Sequence, residues 1–152
     1  MMREDPFDLE RFVVAQDTGS TYDRVLRELS AGQKETHWMW FAFPQIAGLG
    51  HSPTAQRFAI SSLEEARAFL DHPVLGRRIR EWASIVAGHG GRSADEIFGP
   101  IDAMKLRSSM TLFMLADPGE LVFAQVISQF FEGLPDAATE QLVRLPAPKK
   151  AP

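Results

Sequence analysis

At 152 residues without a single cysteine, the chain is long enough to bury its own core and carries neither a disulfide framework nor a thiolate nucleophile. A formal net charge of −4, with 45% hydrophobic and 24% charged residues, fits a folded globule and lacks the basic footprint of a general nucleic-acid binder. No run approaches the roughly 18 apolar residues of a membrane span, and MMREDPFDLE has no apolar signal core, so a cytoplasmic protein is expected.

Helix start signals recur along the chain and strand signals hardly appear. Asp5-Pro6 predicts a cap and a first helical proline, with Leu9, Phe12 and Val13 turned inward. Thr21 can cap a second helix carrying Tyr22, Val25, Leu26 and Leu29, and Gly32 suits the left-handed position that ends it. The aromatic run Lys34 to Phe43 reads as a helix that stops before Pro44, with a strand over Trp38 to Phe43 as the alternative. A glycine turn, Gly48 to Pro53, follows, and then a short helix holding Phe58 and Ile60.

Ser61-x-x-Glu64 reads as a capping box opening a helix to about Leu70. His72 caps a longer helix with Val74, Leu75, Ile79, Trp82, Ile85 and Val86 on its inner face, ended by glycines 88, 90 and 91. Arg77, Arg78 and Arg80 read as its solvated face. Ser93-x-x-Glu96 and Asp117-x-x-Glu120 are further boxes, and between them lies a helix from about Ile101 to Ala116. The last long helix, Pro118 to Glu132, is expected to bury Leu121, Val122, Val126, Phe130 and Phe131 before Gly133 stops it. Asp136 starts a final short helix ending near Arg144. The sum is an all-α fold, one compact irregular globule of six to nine helices over residues 1–145, with a disordered tail at 146–152.

The helix around residues 101–116 is anomalous. Ala103, Leu106, Met110 and Phe113 form one apolar face and Met104, Thr111 and Leu115 a second, so it should be largely buried. Yet Asp102, Lys105 and Ser109 lie three and four apart on a third stripe, beside Ser108. Charges on a buried helix must pair or reach solvent through a cleft. One reading is structural: an Asp102–Lys105 ion pair, with Ser108 and Thr111 bonded to carbonyls one turn earlier. The other is a cleft in which Lys105 meets an anion and Ser109 contacts the ligand, its sharpest form a Ser109–Lys105 nucleophile–base dyad. The Gln45–Pro53 turn is a second candidate, because Gly48 and Gly50 let backbone approach a ligand and a helix starting at Pro53 would aim amides at Ser52. His37 stands beside Trp38 and Trp40, which could stack on a base or sugar or simply fill a core. His51, His72 and His89 lack ligand spacing, so no metal is expected, and no cofactor is implied.

The blocks KETHWMWFAFPQIAGLGHS (Lys34–Ser52), LEEARAFLDHPVL (Leu63–Leu75) and FGPIDAMKLRSSMTLF (Phe98–Phe113) resemble, in this order, the family called domain of unknown function 1810. Some of its members carry the label calpastatin, which does not suit a chain with the apolar content of a folded core. The resemblance implies a mainly helical domain of no established activity. Its signature falls on His37, Trp38, Trp40, Pro44, Gln45, Gly48, Gly50, Ser52, His72, Pro73, Asp102, Lys105, Ser108, Ser109 and Thr111, and it departs at Phe58, where tyrosine is expected. Three functional readings stand at this point. The first is binding of a small anionic ligand, nucleotide- or ADP-ribose-like, in one polar pocket between the 37–52 segment and the Asp102–Thr111 helix. There Lys105 and the Gly48–Ser52 amides would hold phosphate. The second is a protein-interaction module without a pocket, and the third a hydrolase or transferase using His37 or Lys105 as base.

Overall fold

The computed structural model describes residues 4–145; the tail expected at 146–152 lies outside them. Among the described residues there are ten helices, one more than the expected range, and no strand. They are α1 (Glu10–Asp17), α2 (Thr21–Ala31), α3 (Met39–Ala42), α4 (Pro53–Arg57), α5 (Leu63–Asp71), α6 (Leu75–Ala87), α7 (Ala94–Phe98), α8 (Pro100–Ala116), α9 (Leu121–Phe130) and α10 (Ala137–Val143).

α8 is the spine. It packs against α5, α7, α9 and α10, while α6 lies against α2, α5 and α9, and α1 covers α2 and α3. Its first predicted face, Ala103, Leu106, Met110 and Phe113, is buried. The second is not uniformly so. Thr111 is sealed, but Met104 and its neighbour Ile101 are each 71% exposed, while Ala103 and Leu106 in the same turns are buried, so the start of α8 is covered on one side only. Aromatic rings carry the core in two connected groups. Phe12, Phe69, Phe113 and Phe123 form a chain with centroid spacings of 5.1, 5.2 and 5.8 Å. Trp38, Phe43, Phe98 and Trp82 form the other, with spacings of 6.3 and 6.5 Å suited to tilted and edge-on contact.

Several boundaries follow the local chemistry of the sequence. Gly32 ends α2 with φ +71°; its N–H donates to the Leu29 carbonyl and that of Gln33 to the Glu28 carbonyl, a Schellman motif. Ser93 and Glu96 form the full reciprocal capping box of α7. Asp136 accepts from the Thr139 N–H to cap α10. The His72 Nδ1 accepts from the Val74 and Leu75 amides at the start of α6.

Others are displaced. The cap of α5 is Ser62, which accepts from the Glu65 amide, one residue later than expected. Glu65 is drawn there because its carboxylate also takes the Ser61 N–H and hydroxyl and pairs with Arg11 at 2.9 Å. Asp117 closes α8 instead of opening α9, which starts only at Leu121 and leaves that side chain 75% exposed. The aromatic run supplies a single helical turn, α3, rather than a helix from Lys34. Phe58 caps α4, and Ile60 pairs with Ile46 in an isolated parallel bridge, through the Ala47 N–H to the Ile60 carbonyl and the Ile60 N–H to the Gln45 carbonyl, each 2.8 Å.

Candidate functional site

The Schellman turn at Gly32 sends residues 33–38 back across α2, where a buried carboxylate collects them. Glu28 Oε1 accepts from the Glu35 N–H at 2.7 Å, the Thr36 N–H at 2.9 Å and the Trp38 indole at 3.0 Å; Oε2 accepts from the Thr36 hydroxyl at 2.7 Å. Burial alone would raise the Glu28 pKa, but these hydrogen bonds to the charged form outweigh it and hold the carboxyl at about 2. The Lys34 N–H donates to the Ile97 carbonyl at 2.7 Å, tying the same loop to the end of α7.

Fixed in this way, the loop presents Lys34 to the first turn of α8. The Lys34 ammonium lies 2.8 Å from Asp102, donates to the Thr36 carbonyl at 2.6 Å and sits 4.9 Å from the Trp38 ring centroid. Lys105, one turn along α8, is 3.3 Å from the other oxygen of Asp102 and 4.4 Å from the Trp40 ring centroid. Asp102 occupies the third position of α8, where the helix dipole favours negative charge. Before it, Gly99 takes φ +80°, closed to most side chains, and lets the chain pass from α7 into Pro100. The Ile101 and Asp102 N–H groups have no acceptor among the described residues, as expected for the first turn of a helix without a capping side chain.

These groups line a cleft of about 310 Å³ whose walls are Lys34, His37, Met39 and Trp40 on one side and the Gly99–Asp102 turn with Lys105 on the other. A second cleft, of about 340 Å³, lies across Lys105 and Ile101; it is bordered by Gln45, Leu49, Gly50, Met104, Ser108 and Asp136. Among the described residues, no three His, Asp or Glu side chains converge closely enough to hold a metal ion.

The expected site residues therefore divide. His37, Trp40, Asp102 and Lys105 meet in the first cleft, and Gln45, Gly50, Ser108 and Lys105 in the second. Trp38 does not face either; it is buried, its ring in the core and its indole spent on Glu28. Ser109 is 0% exposed and its hydroxyl has no hydrogen-bond partner among the described residues, so it forms no dyad with Lys105. Thr111 is equally sealed: it donates to the Arg107 carbonyl at 2.8 Å and accepts from the Asp136 N–H at 2.9 Å, pinning α10 to α8. Ser108 bonds back to the Met104 carbonyl at 3.2 Å. Gly48 takes φ +106°, and a Cβ there would stand 3.2 Å from the Leu142 side chain; Ser52 caps α4 from the exposed surface, and both lie outside the two clefts.

Two participants escaped sequence reasoning. Lys34 meets Asp102 from a loop remote in sequence, so no helical spacing announces it. Glu28 carried a signal that could have been read: it shares the inner face of α2 with Val25 and Leu29, where a carboxylate needs partners.

Residues 6–143 match the family described as Protein of unknown function (DUF1810). The fold is similar to the crystal structure of the conserved hypothetical protein Rv1873 from Mycobacterium tuberculosis, with a TM-score of 0.90 and 49% identity, covering 93% of this chain and 100% of that one. No curated protein matches the chain.

Proposed function

We propose that this chain, which belongs to the DUF1810 family of proteins of unknown function, binds a small anionic ligand of nucleotide or ADP-ribose type in the cleft between the 34–40 segment and the first turn of α8. One observation carries the reading: two ammonium groups, Lys34 and Lys105, converge on the single carboxylate of Asp102. Among the side chains lining the cleft, two positive charges against one negative leave a surplus of one, at the mouth of a helix whose first amides have no acceptor among the described residues. That combination favours an oxyanion. Lys34 is largely buried and committed to Asp102 and the Thr36 carbonyl, so it sets the field. Lys105 is more exposed and more loosely paired, and it is the group that reaches the ligand. Trp40 and Met39 offer an apolar wall to a planar group, and exposed His37 adds polar selection. The Gly48–Ser52 amides and Trp38 have no part in this arrangement.

The test is calorimetric titration of the intact protein with mononucleotides and ADP-ribose, repeated on Lys105→Ala. A charge-assisted contact of about 1.5–3 kcal/mol predicts that the variant, melting as a folded protein, binds about ten- to a hundredfold more weakly. No saturable binding at millimolar ligand, or equal affinity for both proteins, would reject the proposal.

A further inference from the structure

The second cleft asks more of the ligand than a phosphate and a base. Resting on the reading above, we infer that the ligand is a two-part, diphosphate-linked molecule, with its nucleoside in the first cleft, its phosphates at Lys105 and an uncharged sugar in the second. The two clefts are not separate features. Lys105 and Ile101 border both, so the amine stands at the divide and a group bound to it can extend either way.

The chemistry of the two sides differs. The first offers Trp40, His37 and the surplus positive charge. Among the described residues that border it, the second has no cation besides Lys105. Asp136 spends only Oδ2 on its helix cap, taking the Thr139 N–H and hydroxyl at 2.9 and 2.6 Å, which leaves Oδ1 without a partner among the described residues. The main chain of Gln45 is held by the bridge to Ile60, and its carboxamide, with no partner among the described residues, is left as both donor and acceptor at the cleft wall. A carboxylate and a carboxamide with open capacity suit hydroxyl groups, which can donate to one and exchange both ways with the other. A further phosphate would meet Asp136 with like charge. Leu49 and Met104 give the C–H face of a sugar ring an apolar surface.

The experiment compares ADP with ADP-ribose on the full chain and on Ala138→Trp. Ala138 is an exposed residue on the wall of the second cleft, so its replacement fills that cleft while leaving the core untouched. The expected result is that ADP-ribose binds the unaltered protein at least about tenfold more tightly than ADP, and that Ala138→Trp, with an unchanged melting temperature, removes this advantage while ADP affinity stays within about twofold. Equal affinity of ADP and ADP-ribose for the unaltered protein would overturn the two-part ligand and leave the anion site standing. Preference for ADP-ribose that survives Ala138→Trp would overturn it as well. Failure of both ligands to bind would remove the anion site and this inference together.

Discussion

Glu28 offers the sharpest test of how the cleft is held. Replacing it with glutamine keeps the shape and one carbonyl acceptor but removes the charge that four donors face. Holding the carboxyl at about 2 instead of 4.5 corresponds to roughly 3 kcal/mol of stability at neutral pH. Because the folded-state pKa lies below the unfolded one, this contribution is complete above about pH 5 and is lost as the pH falls toward 2. By pH 3 about 2 kcal/mol of it is gone. Urea unfolding of the natural protein and Glu28→Gln at pH 7 and pH 3 measures the effect directly. Other carboxylates titrate in both proteins, so the difference isolates Glu28. The natural protein should be more stable by about 3 kcal/mol at pH 7, and the gap should narrow by about 2 kcal/mol at pH 3. A gap that does not depend on pH, or glutamine tolerated without loss, would refute the account of a charged acceptor ordering residues 35–38.

Two further outcomes follow from buried positions. Ser109→Ala removes a sealed hydroxyl without a partner from the middle of α8 and should raise stability by about 0.5–1.5 kcal/mol in thermal unfolding, whereas a nucleophile would show no such gain together with lost activity. Gly76→Ala would set a Cβ 1.9 Å from the Leu70 carbonyl oxygen, so α6 must move away from α5; a loss of about 3 kcal/mol or more is expected in the same assay.

Where an element is governed by its neighbours in sequence, the sequence was enough to place it. Gly32, the Ser93–Glu96 box and the Asp136 cap all act within one helical turn, and each stands where its chemistry requires. The α5 cap slipped by one residue because Arg11 and Ser61 compete for Glu65, and that competition is tertiary. Asp117 has the right neighbours for a cap, yet its main chain closes α8, with its N–H donating to the Phe113 carbonyl. Likewise, the Asp102–Lys105 pair was visible as neighbouring positions on a helix, and the back-bonds of Ser108 and Thr111 from their place in it. Which face of α8 meets solvent was not visible. The helix is apolar almost all round, so periodicity has no direction to report, and Met104 and Ser109 exchanged their expected surroundings.

α8 combines two roles along one axis. Its middle turns lie inside the protein, so their amide hydrogens can exchange with water only when the whole structure opens, whereas the amides of Ile101 and Asp102 have no acceptor among the described residues and should exchange almost freely. A single rod thus joins a readily exchanging stretch of backbone to a protected one, and occupancy at its loose end is mechanically continuous with the interior that must come apart when the protein denatures.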